Sequence, residues 1–97
     1  MNRNRPPEDI ATTLKALYDH PFGGKDRGRY KISRRRLRRL SGRKRLEDNI
    51  VKEIIDEAYE QGLIMMDLGD DFVVIEETVM QNYRTVPLPV LSKYSSS

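Results

Sequence analysis

The sequence has no cysteine and no tryptophan, one histidine, two phenylalanines and five tyrosines in 97 residues. Without cysteine there are no disulfides and no thiolate metal sites, a usage that fits a reducing compartment. No apolar run approaches the roughly 20 residues that cross a bilayer as a helix. The opening Met1-Asn2-Arg3-Asn4-Arg5-Pro6-Pro7 lacks the apolar stretch of a secretion signal. The expectation is a cytoplasmic protein with no membrane contact. His20 stands alone, so it has no second histidine for metal or acid–base work, and it reads as a loop residue. No Gly-rich phosphate loop, nucleophile elbow or pair of catalytic carboxylates is evident. The length suits one domain with one modest core, and is short for a scaffold that encloses an active site. No catalytic residue, cofactor or metal site is expected.

What the chain does have is charge, and it is divided. From Lys25 to Arg45 there are twelve Lys/Arg against one acid, Asp26, a net +11. From Leu46 to Glu77 there are eleven acids against one base, Lys52, a net −10. The overall +3 conceals this split. Blocks of this size govern partners more than fold.

Apolar spacing outlines the elements. Pro6-Pro7-Glu8-Asp9 suits a helix start, with proline in the first turn and acids complementing the helix dipole. Ile10, Leu14, Leu17 and Tyr18 then share one face, which predicts a helix over 7–19. Tyr30-Lys31-Ile32 predicts a short strand, and Ser33 an N-cap for a second helix over 34–40 with Leu37 and Leu40 inward. Ser41-Gly42 breaks it. The stripe Leu46, Ile50, Val51, Ile54, Ile55, Ala58, Tyr59 predicts a third helix over 44–61, ended by Gly62. Leu63–Leu68 and Phe72–Ile75 flank Gly69-Asp70-Asp71, a β-hairpin. Of Met65 and Met66, neighbours on a strand, one should be core. Asp67, Asp70 and Asp71 read as turn acids rather than cation ligands. Residues 1–6 are expected to form a disordered arm, 7–77 the domain, and 78–97 a partly extended, terminally frayed extension. Its proline-apolar alternation, Val86-Pro87-Leu88-Pro89-Val90-Leu91, is the candidate element for a homodimer.

The order helix, strand, helix, tight turn, helix, hairpin resembles the winged helix-turn-helix superfamily. The resemblance rests on Tyr30-Lys31-Ile32-Ser33, Leu37, Leu40-Ser41, the stripe from Ile50 to Tyr59, and Gln61-Gly62-Leu63-Ile64 leading into the hairpin. It covers about residues 8–76. It implies an α+β winged-helix domain, a three-helix core with a small antiparallel sheet. It implies duplex DNA binding, in transcriptional regulation or mobile-element maintenance, with the second helix across the phosphate backbone, the start of the third in the major groove, and the hairpin tip as the wing. The matching residues are Arg34, Arg35, Arg36, Arg38 and Arg39 on the second helix, and Arg43, Lys44, Arg45, Asn49 and Lys52 on the third.

The residues argue in the same direction without the family. Arg34-Arg35-Arg36 occupy a helix's first turn, where cations oppose the macrodipole by roughly 0.3–1 kcal/mol each, and five arginines in six residues repel one another. A polyanion would offset both, and the planar arginine fork suits phosphates and guanine edges. RNA would satisfy the same cations. The competing expectation is an interaction module that docks an acidic protein partner or self-assembles through its charge halves. Against groove insertion stand the acids of the third helix, Glu53, Asp56, Glu57 and Glu60 among them, and the acidic hairpin tip, which phosphates would repel.

Overall fold

The computed structural model describes residues 4–95. It is a small α+β domain with a three-stranded antiparallel sheet, in the order α1 (Pro7–Tyr18), β1 (Tyr30–Ser33), α2 (Arg34–Ser41), α3 (Asp48–Glu60), β2 (Leu63–Asp67), β3 (Asp71–Glu76), a 3-10 turn (Glu77–Asn82) and α4 (Leu88–Ser92). The central strand is β3. It pairs β1 from Tyr30↔Val74 to Ser33↔Asp71, and β2 from Leu63↔Glu76 to Asp67↔Phe72. Alternation along the strands turns Tyr30, Leu63, Met65, Phe72 and Val74 onto the helices and leaves Lys31 and Met66 exposed.

The core forms where the apolar spacing places it. Ile10 and Leu14 of α1, Leu37 of α2, Ile54 of α3, and Leu63, Phe72 and Val74 of the sheet are fully buried. Burial of each such side chain contributes about 1.5–3 kcal/mol. Tyr18 and Tyr30 join them with ring centroids 6.2 Å apart, and the Tyr30 hydroxyl donates to the Leu14 carbonyl at 2.6 Å. Burial, more than the neighbouring Tyr18, pushes the Tyr30 phenol well above its ordinary pKa, so it stays a donor throughout the physiological range. Tyr59, placed by spacing in the α3 stripe, is 53% exposed at the edge of that stripe.

Three boundaries differ from the sequence expectation. The third helix begins at Asp48, four residues later than Lys44, because the chain between is held as a turn. Glu47 precedes it with an extended backbone (φ −76°, ψ 155°). Asn4–Pro6 are tied to the domain, since the Arg5 amide donates to the Ser41 carbonyl at 2.9 Å and the Arg5 guanidinium to the Thr13 hydroxyl at 2.7 Å. Met1–Arg3, the rest of the expected arm, lie outside the described residues. The extension holds a 3-10 turn and a short helix, joined by a non-helical stretch over 83–87 whose ends, Tyr83 and Pro87, have extended backbone. Pro89 fits α4 because it sits in the first turn, where its missing N–H breaks no helical bond. No helix among the described residues is long and apolar enough to cross a membrane.

Candidate functional site

The basic and acidic stretches barely meet inside the molecule. Among the described residues, side-chain ion pairs within 4.0 Å involve only two of the twelve cations between Lys25 and Arg45. Arg27 pairs with Asp19 at 2.8 Å and with Glu76, and these two bonds, Glu76's the stronger, raise its pKa. Arg34 pairs with Asp67 at 2.6 Å. The acids of α3 hold no cation of the basic stretch in such a pair.

Arg34 is thereby committed to the fold. Its Nε donates to the Gly69 carbonyl, its Nη2 to Asp67, and its guanidinium lies 4.7 Å from the Phe72 ring centroid. Its amide donates to the Asp70 carbonyl at 2.7 Å. The Arg34 bond first, and the Gly69 amide second, hold the Asp67 carboxyl below the usual carboxylate range. The acidic hairpin tip thus folds onto the start of α2, and its carbonyls and carboxylate answer a cation that the helix dipole opposes. Ser33 caps the same end, accepting from the Arg36 amide at 3.1 Å.

The far end of α2 builds the site. Ser41 is fully buried, its hydroxyl donating to the Arg38 carbonyl at 2.6 Å and accepting from the Arg43 amide at 3.2 Å. Gly42 follows with φ +74°, a left-handed conformation that reverses the chain. The Arg38 guanidinium then reaches the Arg43 carbonyl at 3.1 Å, and the Arg43 guanidinium the Arg5 carbonyl at 2.7 Å. Each uses one nitrogen of its fork on backbone, so the remaining donors stay available. Around this turn lies an open depression of about 310 Å³ lined by Arg35, Arg38, Arg39, Gly42, Arg43 and Lys44. Five of its six lining residues are cationic and none is acidic. Beside it, Arg43, Lys44 and Arg45 line a second depression with Asn4, Glu47 and Ile50.

The ten residues singled out in the sequence therefore separate into groups. Arg35, Arg38, Arg39, Arg43 and Lys44 converge, and Arg45 adjoins them. Arg36 is exposed but outside the depression, and Arg34 is bound to the hairpin. Arg43, Lys44 and Arg45 belong to the turn, not to the third helix. Asn49 and Lys52 are exposed on α3, in the company of exposed Asp48, Glu53, Asp56 and Glu60. Sequence reasoning treated Ser41 only as a helix breaker and Arg5 as part of a free arm, whereas both shape the turn. Their signal was faint, since a buried serine and an arm arginine look alike in sequence whether or not they bond. Among the described residues, no group of three or more His, Asp or Glu could hold a metal ion. No family model matches the chain, and no curated protein or solved structure matches it significantly.

Proposed function

We propose that this chain is a winged-helix domain that binds duplex DNA chiefly through the phosphate backbone, gripping it with α2 and the α2–α3 turn. The observation that carries the reading is the ring of Arg35, Arg38, Arg39, Arg43 and Lys44 around one open depression with no acid in its lining. Such a ring is costly by itself. Phosphates remove the mutual repulsion and accept the paired N–H groups of arginine in a geometry that fits. Element order and the sheet order β1-β3-β2 agree with a winged helix. The hairpin is not a free wing, because its tip is bonded to Arg34. The acids of α3 limit base reading to Asn49, Lys52 and the turn residue Arg45. The reading therefore favours backbone contact over sequence reading.

Fluorescence anisotropy with a labelled random duplex across a salt series tests this. Changing Arg35 and Arg39 to Ala should reduce the magnitude of the log K against log salt slope by about 0.9 per lost phosphate contact. Unchanged affinity and slope would remove the proposed grip. Duplex RNA and poly-glutamate as competitors separate the alternatives. If RNA displaces DNA at equal concentration the partner is any duplex, and if poly-glutamate matches DNA the site docks an acidic protein.

A further inference from the structure

The C-terminal segment is the most apolar exposed part of the molecule. Every described residue from Gln81 to Ser95 is exposed. Leu88 is 72% exposed and Leu91 54%, one turn apart on α4, and Val86, Val90 and Tyr94 are exposed beside them. Isolated helices shorter than about 12–15 residues are marginal in water, so a five-residue helix gains little from standing free. A cover over its apolar side chains would stabilise it.

The same chain carries a matching groove. Between α3 and β2 lies an open cleft of about 490 Å³ lined by Ile55, Asp56, Tyr59, Glu60, Leu63 and Ile64, with Met65 beneath. Its floor is apolar and its rim acidic. The tail from Gln81 to Ser95 holds two bases, Arg84 and Lys93, and no acid. Apolar side chains of the tail fit the floor, and its two cations complement Asp56 and Glu60.

We infer that the groove receives the tail of a second copy of this chain, in a reciprocal two-fold exchange. The tail leaves the domain at the edge of the groove itself. The Glu77 amide donates to the Gly62 carbonyl at 2.9 Å, and the Tyr59 hydroxyl donates to the Glu77 carboxylate at 3.4 Å. In its own molecule the 3-10 turn Glu77–Asn82 carries the tail off this corner, leaving all of it exposed. Because root and groove adjoin, two copies facing each other across this corner can cross tails over a short distance, and each then fills the other's groove. A self-complementary pairing of this kind closes as a dimer and exposes no further groove. The groove shares no side chain with the basic depression of α2 and the α2–α3 turn.

Sedimentation equilibrium of the full chain at high salt, without nucleic acid, is the test. The wild type should be a dimer. Leu88→Asp with Leu91→Asp alters only exposed positions and should weaken the dimer by roughly 100-fold or more, because two apolar side chains are lost from the contact. A mixing experiment then distinguishes the two-copy exchange from a tail folding onto its own groove. At low salt, Asp56→Lys with Glu60→Lys should be monomeric, and so should Arg84→Glu with Lys93→Glu. Mixed together they should form a heterodimer, since each groove then meets a tail of opposite charge. A monomeric wild type at the highest attainable concentration overturns the proposal. So does a dimer that survives the leucine changes, and so does a mixture that stays monomeric, which points to the tail's own groove or to a different protein as occupant.

Discussion

Helices α2 and α3 are consecutive, share one core and turn opposite charge outward. Five arginines lie on α2, and five acids and one lysine on α3. Each anchors itself with a few side chains, Leu37 and Ser41 in one case and Val51, Ile54 and Ala58 in the other. Yet no ion pair joins the two charge sets. Opposite charges that lie next to each other in the chain and stay apart in space do not serve the stability of the fold. They leave five cations around one depression with no acid in its lining, which favours approach of an anion there.

The largest effect should come from Leu37→Ala. Leu37 is the only fully buried apolar residue of α2, and its truncation should cost about 2–5 kcal/mol. Urea unfolding would measure it, and a loss under about 0.5 kcal/mol would mean that α2 is not held by its core contact. Next comes reversal at the surface. Arg35→Glu with Arg39→Glu should lower duplex affinity by roughly 100-fold at low salt, while the urea midpoint holds or rises as repulsion is relieved. A fall in both would assign these arginines to the fold. Ser33→Ala should cost about 1 kcal/mol by leaving the Arg36 amide without its cap.

A smaller effect sharpens the contrast between Arg34 and its neighbours. Because the folded-state pKa of Asp67 is lowered, its contribution is full above the unfolded carboxylate value of about 3.9 and is lost as pH falls through the lower folded value. Arg34→Ala should return the Asp67 titration toward the usual range, as followed by carboxyl NMR shifts, and should leave duplex affinity nearly unchanged. If affinity instead falls as far as with Arg35 and Arg39, Arg34 belongs to the binding ring. Smallest of all, Glu53→Gln on exposed α3 should raise duplex affinity by about twofold or less at low salt, an effect that added salt removes.

Much of the fold was legible because it depends on neighbours in sequence. Ser33 as a cap, Gly62 as a helix end, and the hairpin around Gly69 all follow from local backbone preferences, and the large apolar residues that are fully buried, unlike Ser41, lie on the predicted helices and strands. The start of α3 was not legible in the same way. Arg43-Lys44-Arg45 are good helix formers and Leu46 fits the stripe, but the Ser41 hydroxyl and left-handed Gly42 fold this stretch into a turn. The candidate site was legible as composition and not as selection. Which arginine is bound and which is free depends on carboxylates distant in sequence: Asp67 lies 33 residues from Arg34, and Glu76 49 from Arg27. Nothing in a run of like residues marks the one that will meet them. The tail was legible only in part, since 83–87 is non-helical and extended at Tyr83 and Pro87, whereas Leu88–Ser92 is helical. Proline alternating with apolar residues suggests extension, and only its position in the first turn of α4 makes it helical.

The bonds from Arg5 to Ser41 and from Arg43 to Arg5 have a consequence for the thermodynamics of any encounter at the turn. They fasten the lead-in to α1 against the α2–α3 turn, so Arg43 and its neighbours lose conformational freedom when the chain folds rather than when an anion arrives. Ordering a rotamer-rich side chain costs about 0.5–1.5 kcal/mol at an interface, and here part of that entropy is already spent. Removal of the first six residues should therefore leave the cations of the ring in place while making association less favourable in entropy, a change that calorimetry would resolve as a steeper entropic opposition at a nearly constant heat.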